Sequence, residues 1–354
     1  MRLHLYFARR FLATFGAVAA GFLAVIVLVD LIEGARRGTP GVLRSALLQA
    51  PGGFQSMLPL VMILSSITLF LALARSSELV AVRAAGRSAI AALLAPLAAA
   101  LLLALLGLAA LGPVVAATSR ALESGGTARG AALAMDEGGL WLRQGDAGGQ
   151  MVIHAARSGA GGTLLEEVSI LAFARDGSPE TRIEAARAAL RDGRWVIGAA
   201  RVWPLDAPNP EAAARTEAEL TLPATLTAED IRDSLARPQT IAVWDLPAFI
   251  ARLRAAGFSA RLHEVHLQGE LAQPVLLIAM VMIGAAFTMR PQRAGRTGAM
   301  VLVAVCLAFG VHFLRNFARI LGEAGQIPPA LAAWAPPLAA VALALALLLH
   351  FEDG

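Results

Sequence analysis

The sequence predicts an α-helical membrane protein with six transmembrane helices and an inserted all-β domain, on the strength of three observations. First, 57% of the 354 residues are hydrophobic and 16% are charged, which is too apolar for a domain with a solvated surface. Second, six runs approach or exceed the roughly 20 apolar residues that cross a bilayer core of about 30 Å. Third, a polar segment between the third and fourth runs is long enough to be a domain.

The six apolar runs lie at residues 11–31, 57–74, 89–116, 271–289, 298–314 and 330–350. The first run could instead be a cleaved signal peptide, which has a shorter apolar core followed by small residues. Here the run is longer and ends in Val29-Asp30-Leu31-Ile32-Glu33. We therefore favour a membrane span at this position too.

The residue inventory excludes several kinds of chemistry. All 30 basic residues are arginine, so the chain has no lysine for an ordinary Walker A phosphate loop or for a Schiff base. The single cysteine, Cys306, cannot form an intrachain disulfide. Because the arginines are dispersed along the chain rather than clustered on one face, we expect no nucleic-acid partner.

Arginines in the short loops predict the orientation, because basic residues are enriched on the inner side of a membrane. With the N-terminus inside, nine arginines fall on the inner side and five on the outer side. The inner set is Arg2, Arg9, Arg10, Arg75, Arg83, Arg87, Arg290, Arg293 and Arg296, and the outer set is Arg36, Arg37, Arg44, Arg315 and Arg319. Both termini are therefore expected inside, and the large polar segment outside.

Residues 75–88 form a charged connector between the second and third spans, on the expected inner side. As a helix, this connector would place Leu79, Val82 and Gly86 on one face. Glu78 could pair with Arg75 one turn before it. The connector would thus present a face to a docking partner.

Residues 119–244 carry the alternating pattern of half-buried strands. The expected strands are 140–144, 150–156, 168–177, 180–190, 194–205 and 217–223, separated by glycine-rich turn signals. Short strands at this spacing are typical of an antiparallel sandwich or an open barrel. Asp245-Leu246-Pro247 then begins a helix, and a second helix from about Ser259 continues into the fourth span.

The polar residues show no arrangement typical of a catalytic or metal site. Trp141, His154, Trp195 and Trp203 lie on expected strands and are treated as core or rim residues. His263 and His266 could bind a metal, but we favour interfacial polar residues and expect no metal site. His312 lies within the fifth run, where polar groups are costly and therefore candidates for function.

The stretch LARSSELVAVRAAG, residues 73–86, resembles the coupling-helix motif S-E-L-v-x-x-x-A-x-G of the LptF/LptG (YjgP/YjgQ) lipopolysaccharide-export permeases. Further similarities are Val29-Asp30, Gly139-Leu140-Trp141, Ser169-Ile170-Leu171-Ala172-Phe173, Gln273-Pro274 and Gly325-Gln326-Ile327-Pro328-Pro329. The Gly-Leu-Trp and Gly-x-Ile-Pro-Pro features resemble the G-type subunit more than the F-type, which stays an alternative.

The resemblance implies an inner-membrane permease subunit without enzymatic activity, which passes lipopolysaccharide towards a periplasmic bridge. The implied partners are an F-type permease (LptF-like), a dimer of an ABC ATPase (LptB-like), bridge proteins (LptC/LptA-like), lipopolysaccharide and membrane lipids. ATP and Mg²⁺ would be bound by the partner ATPase, and this chain would hold no cofactor. The implied domains are transmembrane helices 1–118, a periplasmic β-jellyroll 119–244, interfacial helices 245–270 and transmembrane helices 271–354.

The resemblance also assigns two sets of candidate residues. The set that would contact the ATPase is Arg75, Glu78, Leu79, Val82, Arg83 and Gly86. The set that would bind the lipid substrate is Asp30, Arg36, Arg37, Arg44, Arg315 and Arg319.

Two family positions that are basic in the G-type subunit here read Glu33 and Gly34. Arg36 and Arg37 follow three residues later, nearly one helical turn along. We favour a phosphate site at this shifted depth, and the alternative is that both side chains only snorkel to the interface.

Two other classes remain as alternatives. A membrane sensor with an exported β-domain would need an inner output module, and the connector is the longest inner segment. An intramembrane hydrolase would need paired catalytic groups, whereas the spans offer only isolated Asp30 and His312.

Overall fold

A computed structural model describes residues 2–38, 41–84, 89–125, 139–146, 149–159, 162–224, 231, 237–255, 259–289 and 297–352. The chain divides into two compact units. A helical unit comprises Met1–Glu123, Pro238–Pro247 and Arg261–Gly354, and a β unit comprises Ser124–Arg237 and Ala248–Ala260.

Nine α-helices occur in the described part of the chain. They are α1 (Arg2–Arg36), α2 (Val42–Arg75), α3 (Glu78–Ala84), α4 (Ala89–Leu106), α5 (Gly112–Gly125), α6 (Leu246–Ala255), α7 (Arg261–Thr288), α8 (Thr297–Glu323) and α9 (Pro329–Glu352). A π-helical turn, Gly107–Leu111, joins α4 to α5 and makes them one span. Among the described residues, six helical segments are long and apolar enough to cross a membrane. The prediction of six spans is confirmed.

Helix α7 is the centre of the helical unit and contacts α2, α4, α8 and α9. Its approach to α2 depends on Gly284, where an added Cβ would lie 2.8 Å from Ser66 Cβ. The buried Ser66 hydroxyl donates to the Val281 carbonyl oxygen at 2.8 Å. A small residue and a satisfied hydroxyl together let two membrane helices pack closely.

Helices α1 and α8 are the least covered spans. In α1, Phe7 and Phe11 near the N-terminus are buried, whereas none of the large apolar side chains further along is buried and half of them are exposed. In α8 the exposed apolar side chains are Leu302, Val303, Phe309, Phe313, Leu314, Phe317 and Ile320. Exposed apolar side chains of this size suit contact with lipid or with another membrane helix.

Six strands form one antiparallel sheet in sequential order. They are β1 (Leu140–Asp146), β2 (Gly149–Gly159), β3 (Leu164–Phe173), β4 (Pro179–Arg191), β5 (Arg194–Pro204) and β6 (Arg215–Pro223). The prediction of an inserted antiparallel β domain is confirmed. The described strands follow a meander, in which each strand pairs with the next along the chain.

The third expected strand, 168–177, was placed four residues too late, because it included a turn. The Asp176 carboxylate accepts hydrogen bonds from both the backbone N–H and the hydroxyl of Ser178, and these bonds hold its pKa below the usual value. Gly177 has φ +84°, which glycine adopts without strain. The strand therefore ends at Phe173.

A buried glutamine connects the two edges of the sheet. Gln144 on β1 donates to the Pro223 carbonyl oxygen at the end of β6, at 3.0 Å. Its own amide oxygen accepts from the indole of the fully buried Trp195 on β5, at 3.4 Å. The sheet thus curls towards closure, as in the open barrel that was one of the two expected architectures.

Candidate functional site

A polar cluster at the start of α1 fixes that helix to α3. Arg10 Nη1 donates to Glu78 Oε1 at 2.6 Å, and the same carboxylate oxygen accepts from the Ser76 hydroxyl at 2.8 Å. Arg10 also donates to the Tyr6 hydroxyl at 2.6 Å, with its guanidinium 5.7 Å from the centre of the Tyr6 ring. We call Tyr6, Arg10, Ser76 and Glu78 the inner joint.

The inner joint positions helices more than it stabilises the fold. Burial by itself raises the pKa of Glu78, but hydrogen bonds from Arg10 and Ser76 prevail and hold that pKa below its usual value. The two side chains keep 29% and 32% of their surface exposed. Ion pairs this accessible to water contribute about 0–1 kcal/mol. The consequence is a fixed register between α1 and α3.

Helix α3 presents different residues on its different faces. Val82 is buried within the core of the helical unit, and Glu78 pairs with Arg10. Exposed positions follow helical spacing and are Ser77, Val80, Ala81 and Ala84, with Val80 53% exposed. This stripe is called the α3 outer face.

The structure places two connector residues differently from their expected positions. Val82, expected on the docking face, is buried within its own chain. Glu78 pairs with Arg10 on another helix rather than with Arg75. The side chains of Leu79 and Arg83, and all of Gly86, lie outside the described residues.

The candidate substrate-binding residues fall into separate places. Arg36 and Arg37 are exposed and both pair with Glu33, at 3.4 and 2.9 Å. Asp30 is half-buried on α1, and Arg44 is exposed near the start of α2. The structure brings Arg36 and Arg37 together around one carboxylate.

The other two candidate arginines, Arg315 and Arg319, line a cavity of about 270 Å³ within the helical unit. Its polar lining residues include Gln55, His266, Glu270, Gln273 and His312, and its apolar ones include Val115, Ile241, Val243, Val265, Ala332 and Ala333. We call it the polar cavity.

An acid and a base face the polar cavity without bridging. Gln55 Nε2 donates to Glu270 Oε2 at 2.8 Å, and Arg319 pairs with Glu323 at 2.7 Å. Among the described residues, no salt bridge joins Arg315 to a carboxylate, although Glu270 is close enough to interact with it electrostatically. His312 Nδ1 is buried, and no hydrogen-bond partner for it occurs among the residues that the structure describes.

Sequence reasoning found the arginines and His312 but missed Glu270 and Gln55. Each stands just before an apolar run, where a polar residue is ordinary. The hydrogen bond between them joins positions separated by 215 residues. A pattern along one chain does not show such a pairing.

Fold and site together define a class: a six-span helical membrane protein with an inserted antiparallel β domain. In the described residues, no group of three or more His, Cys, Asp or Glu is placed to hold a metal ion. The polar features are instead a joint between helices and a cavity among them.

Comparison with known proteins narrows the class to a family. The chain matches the family "Lipopolysaccharide export system permease LptF/LptG" over residues 5–350 and belongs to it. It is similar to LptG of Escherichia coli K12, with 24% identity over 333 residues, which covers 92% of this chain and 91% of the relative. LptG of Escherichia coli O6:H1 strain CFT073 matches with the same values. The resemblance to this family, and to LptG within it, is confirmed.

Proposed function

We propose that this chain is the G-type permease subunit of an ABC transporter that extracts lipopolysaccharide from the inner membrane. Membership of the permease family over nearly the whole chain supports this function, as does similarity to two LptG proteins. The observation that carries the mechanism is the inner joint, where Arg10 fixes α1 to the connector between the second and third spans. The chain hydrolyses no nucleotide itself, and a partner ATPase binds the ATP and Mg²⁺.

The partner ATPase docks on the α3 outer face. Val80 provides an exposed apolar contact, and Ala81 and Ala84 allow close approach because they are small. Displacement of α3 then passes along two routes. One is the Arg10–Glu78 bridge to α1, and the other is Val82, which packs into the core of the helical unit.

The F-type permease covers the exposed apolar surfaces of α1 and α8. No residue is buried in the apolar 18-residue stretch of α1, whereas 83% of the residues in the corresponding stretch of α7 are buried within this chain. An LptF-like partner on these two helices would enclose a cavity between the two subunits. Movement of α1 would change the width of that cavity.

Arg36 and Arg37 contact the phosphates of the substrate. Both guanidiniums are more than 70% exposed, at the end of α1 that the arginine distribution places outside. Glu33 holds them in place and lowers the net charge of the group. Bidentate hydrogen bonds from arginine suit phosphate oxygens.

The β unit passes the lipid to the next protein of a periplasmic bridge, whose components are LptC/LptA-like. Strand β1 is an edge of the described sheet and carries Trp141, which is 64% exposed. An open edge can pair with a strand of another β protein. An exposed tryptophan beside that edge adds apolar contact area.

Purification of the full-length chain with its native partners tests this function. We expect an ABC ATPase and a second six-span permease of the F type to co-purify in constant ratio, and Val80→Asp to remove the ATPase alone. Leu164→Asp is the matched control, because it places the same charge at an exposed position of β3. A G-type second permease would make this chain the F-type subunit. Absence of any ATPase would favour a membrane sensor.

A further inference from the structure

The polar cavity has properties that the proposed export function does not use. It lies within one chain, between α2, α5, α7, α8 and α9, whereas the proposed lipopolysaccharide site lies between two subunits. Its helical lining residues come from the helix halves that the arginine distribution places on the outer side, and Gln239, Ile241 and Val243 of the segment before α6 complete the lining. At that level a cavity meets lipid headgroups.

Charge determines what the polar cavity can accept. Glu323 already pairs with Arg319, which leaves Glu270 and Arg315 as the opposing charges of the lining. A polyanion would meet Arg315 but would be repelled by Glu270. Buried charges need a partner, so a ligand with one positive and one negative group fits both walls.

The size of the polar cavity limits the ligand to a small group. Its volume of about 270 Å³ lies just below the roughly 300 Å³ at which sites for drug-sized ligands begin. Gly52, Gly112 and Gly269 contribute to the lining, and no atom lies within 4 Å of a Cβ added at Gly269. These glycines have no side chains, and the space they leave can hold a lipid headgroup.

The type of cation follows from the lining residues. Quaternary ammonium groups are recognised by cages of aromatic rings, and the described lining contains no Phe, Tyr or Trp. It offers hydrogen-bond acceptors instead. Gln55 donates to only one oxygen of Glu270, so the carboxylate retains lone pairs for the N–H groups of a primary ammonium.

We propose that the polar cavity is a binding site for a phospholipid with a phosphoethanolamine headgroup. Arg315 binds the phosphate through charge-assisted hydrogen bonds. Glu270 accepts from the ammonium, while Gln55 holds the carboxylate in place. The apolar wall of Val115, Val243 and Val265 contacts the ethylene carbons. This site goes beyond the export function and belongs to a lipid that is not the exported cargo.

Lipid titration of the delipidated full-length chain, followed by native mass spectrometry, tests the site. The probes are phosphatidylethanolamine, phosphatidylcholine and phosphatidylglycerol with identical acyl chains. We expect phosphatidylethanolamine to bind at least about tenfold more tightly than the other two, the factor expected from one charge-assisted hydrogen bond. Equal binding of the three lipids by the unmodified chain would overturn the proposal, as would a preference for phosphatidylglycerol.

Variants assign the selectivity to its residues. Glu270→Gln should remove the preference for phosphatidylethanolamine over phosphatidylglycerol, and Arg315→Gln should weaken both. Arg187→Gln removes an equal charge from an exposed position of the β unit and should change neither. If Glu270→Gln leaves the preference for phosphatidylethanolamine intact, the Glu270 carboxylate does not bind the ammonium group and the proposal is wrong.

A competition experiment on the unmodified chain keeps the test independent of variant folding. Free phosphoethanolamine should displace phosphatidylethanolamine, whereas free glycerol phosphate at the same concentration should not. If neither compound competes while the lipid preference persists, the polar cavity is not where the headgroup is bound and the site is refuted. Because these measurements need no ATPase or second permease, their outcome is separate from that of the export function.

Discussion

The inner joint and the polar cavity use the same pair of residue types in opposite ways. Each has one glutamate and one arginine on different helices of the helical unit. At the inner joint the two side chains meet at 2.6 Å, and the result is a link between α1 and α3. In the polar cavity Glu270 and Arg315 face the same open volume without a salt bridge between them. An acid and a base that can meet form a structural link, whereas a pair held apart leaves both groups available to a ligand.

Charge reversal at the inner joint should have the largest effect. Glu78→Lys opposes two positive charges at the Arg10 contact, and we expect export of lipopolysaccharide to be lost while membrane insertion is kept. Measurement of lipopolysaccharide release to an acceptor protein checks the result. The double variant Arg10→Glu/Glu78→Arg restores opposite charges, so it should recover export. Failure of this exchange would mean that Glu78 acts on a partner rather than on Arg10.

Filling the polar cavity should have the next largest effect. In Gly269→Leu the new side chain has open space at its Cβ and occupies volume that the headgroup needs. We expect bound phosphatidylethanolamine to fall at least about tenfold, measured by lipid extraction from the purified chain. Gly310→Leu is the matched control, because its Cβ also meets no atom within 4 Å and Gly310 does not line the cavity. An equal loss in both variants would indicate a general packing effect.

Removing the arginine from each pair should affect thermal stability differently at the inner joint and in the polar cavity. Arg10→Gln breaks an existing ion pair and should lower the free energy of unfolding by up to about 1 kcal/mol. Arg315→Gln removes an unbridged charge and should leave the lipid-free chain unchanged or more stable. Added phosphatidylethanolamine should then stabilise the Arg10→Gln variant but not Arg315→Gln. These midpoints can be compared by heating in detergent with and without the lipid.

Acidification should weaken the inner joint by a smaller amount. The pKa of Glu78 is lowered in the folded protein, so the ion pair stabilises the fold above the unfolded-state pKa of the carboxyl. This contribution is lost as the pH falls through the folded-state pKa. We expect a thermal midpoint that declines more steeply with acid in the unmodified chain than in Glu78→Gln. Parallel pH profiles would contradict the link.

Much of the fold follows from the sequence because long apolar runs and alternating strands are local patterns. Helix α2 begins at Val42, well before its apolar run at 57–74, and it continues through Pro51 and Pro59 without interruption. Strand spacing alone predicts an open barrel as one possibility. The contact that draws β1 towards β6, a hydrogen bond from Gln144 to the Pro223 carbonyl oxygen, joins residues far apart in sequence and has no local signal. Local periodicity identifies helices and strands, but it does not show which side chains contact each other after folding.

The candidate sites were harder to derive for the same reason. Helical spacing placed Val82 on the docking side of the connector, but packing of α3 against its own chain buries that residue. Arg10 was counted only for orientation, since nothing near it in sequence marks Glu78 as its partner. Glu270 lies one residue before an apolar run and carries no local signal. Contacts between different helices therefore determine which charged residues have a role.

The central claim is that force from a separate ATPase enters this chain through the α3 outer face. Photo-crosslinking from Val80 in the full-length chain, produced with its native partners, tests it most directly. We expect an adduct with an ABC ATPase from Val80 and none from Trp141, which is also exposed but lies in the β unit. An ATPase adduct from Trp141 instead, or labelling of position 80 from outside intact cells, would contradict the account.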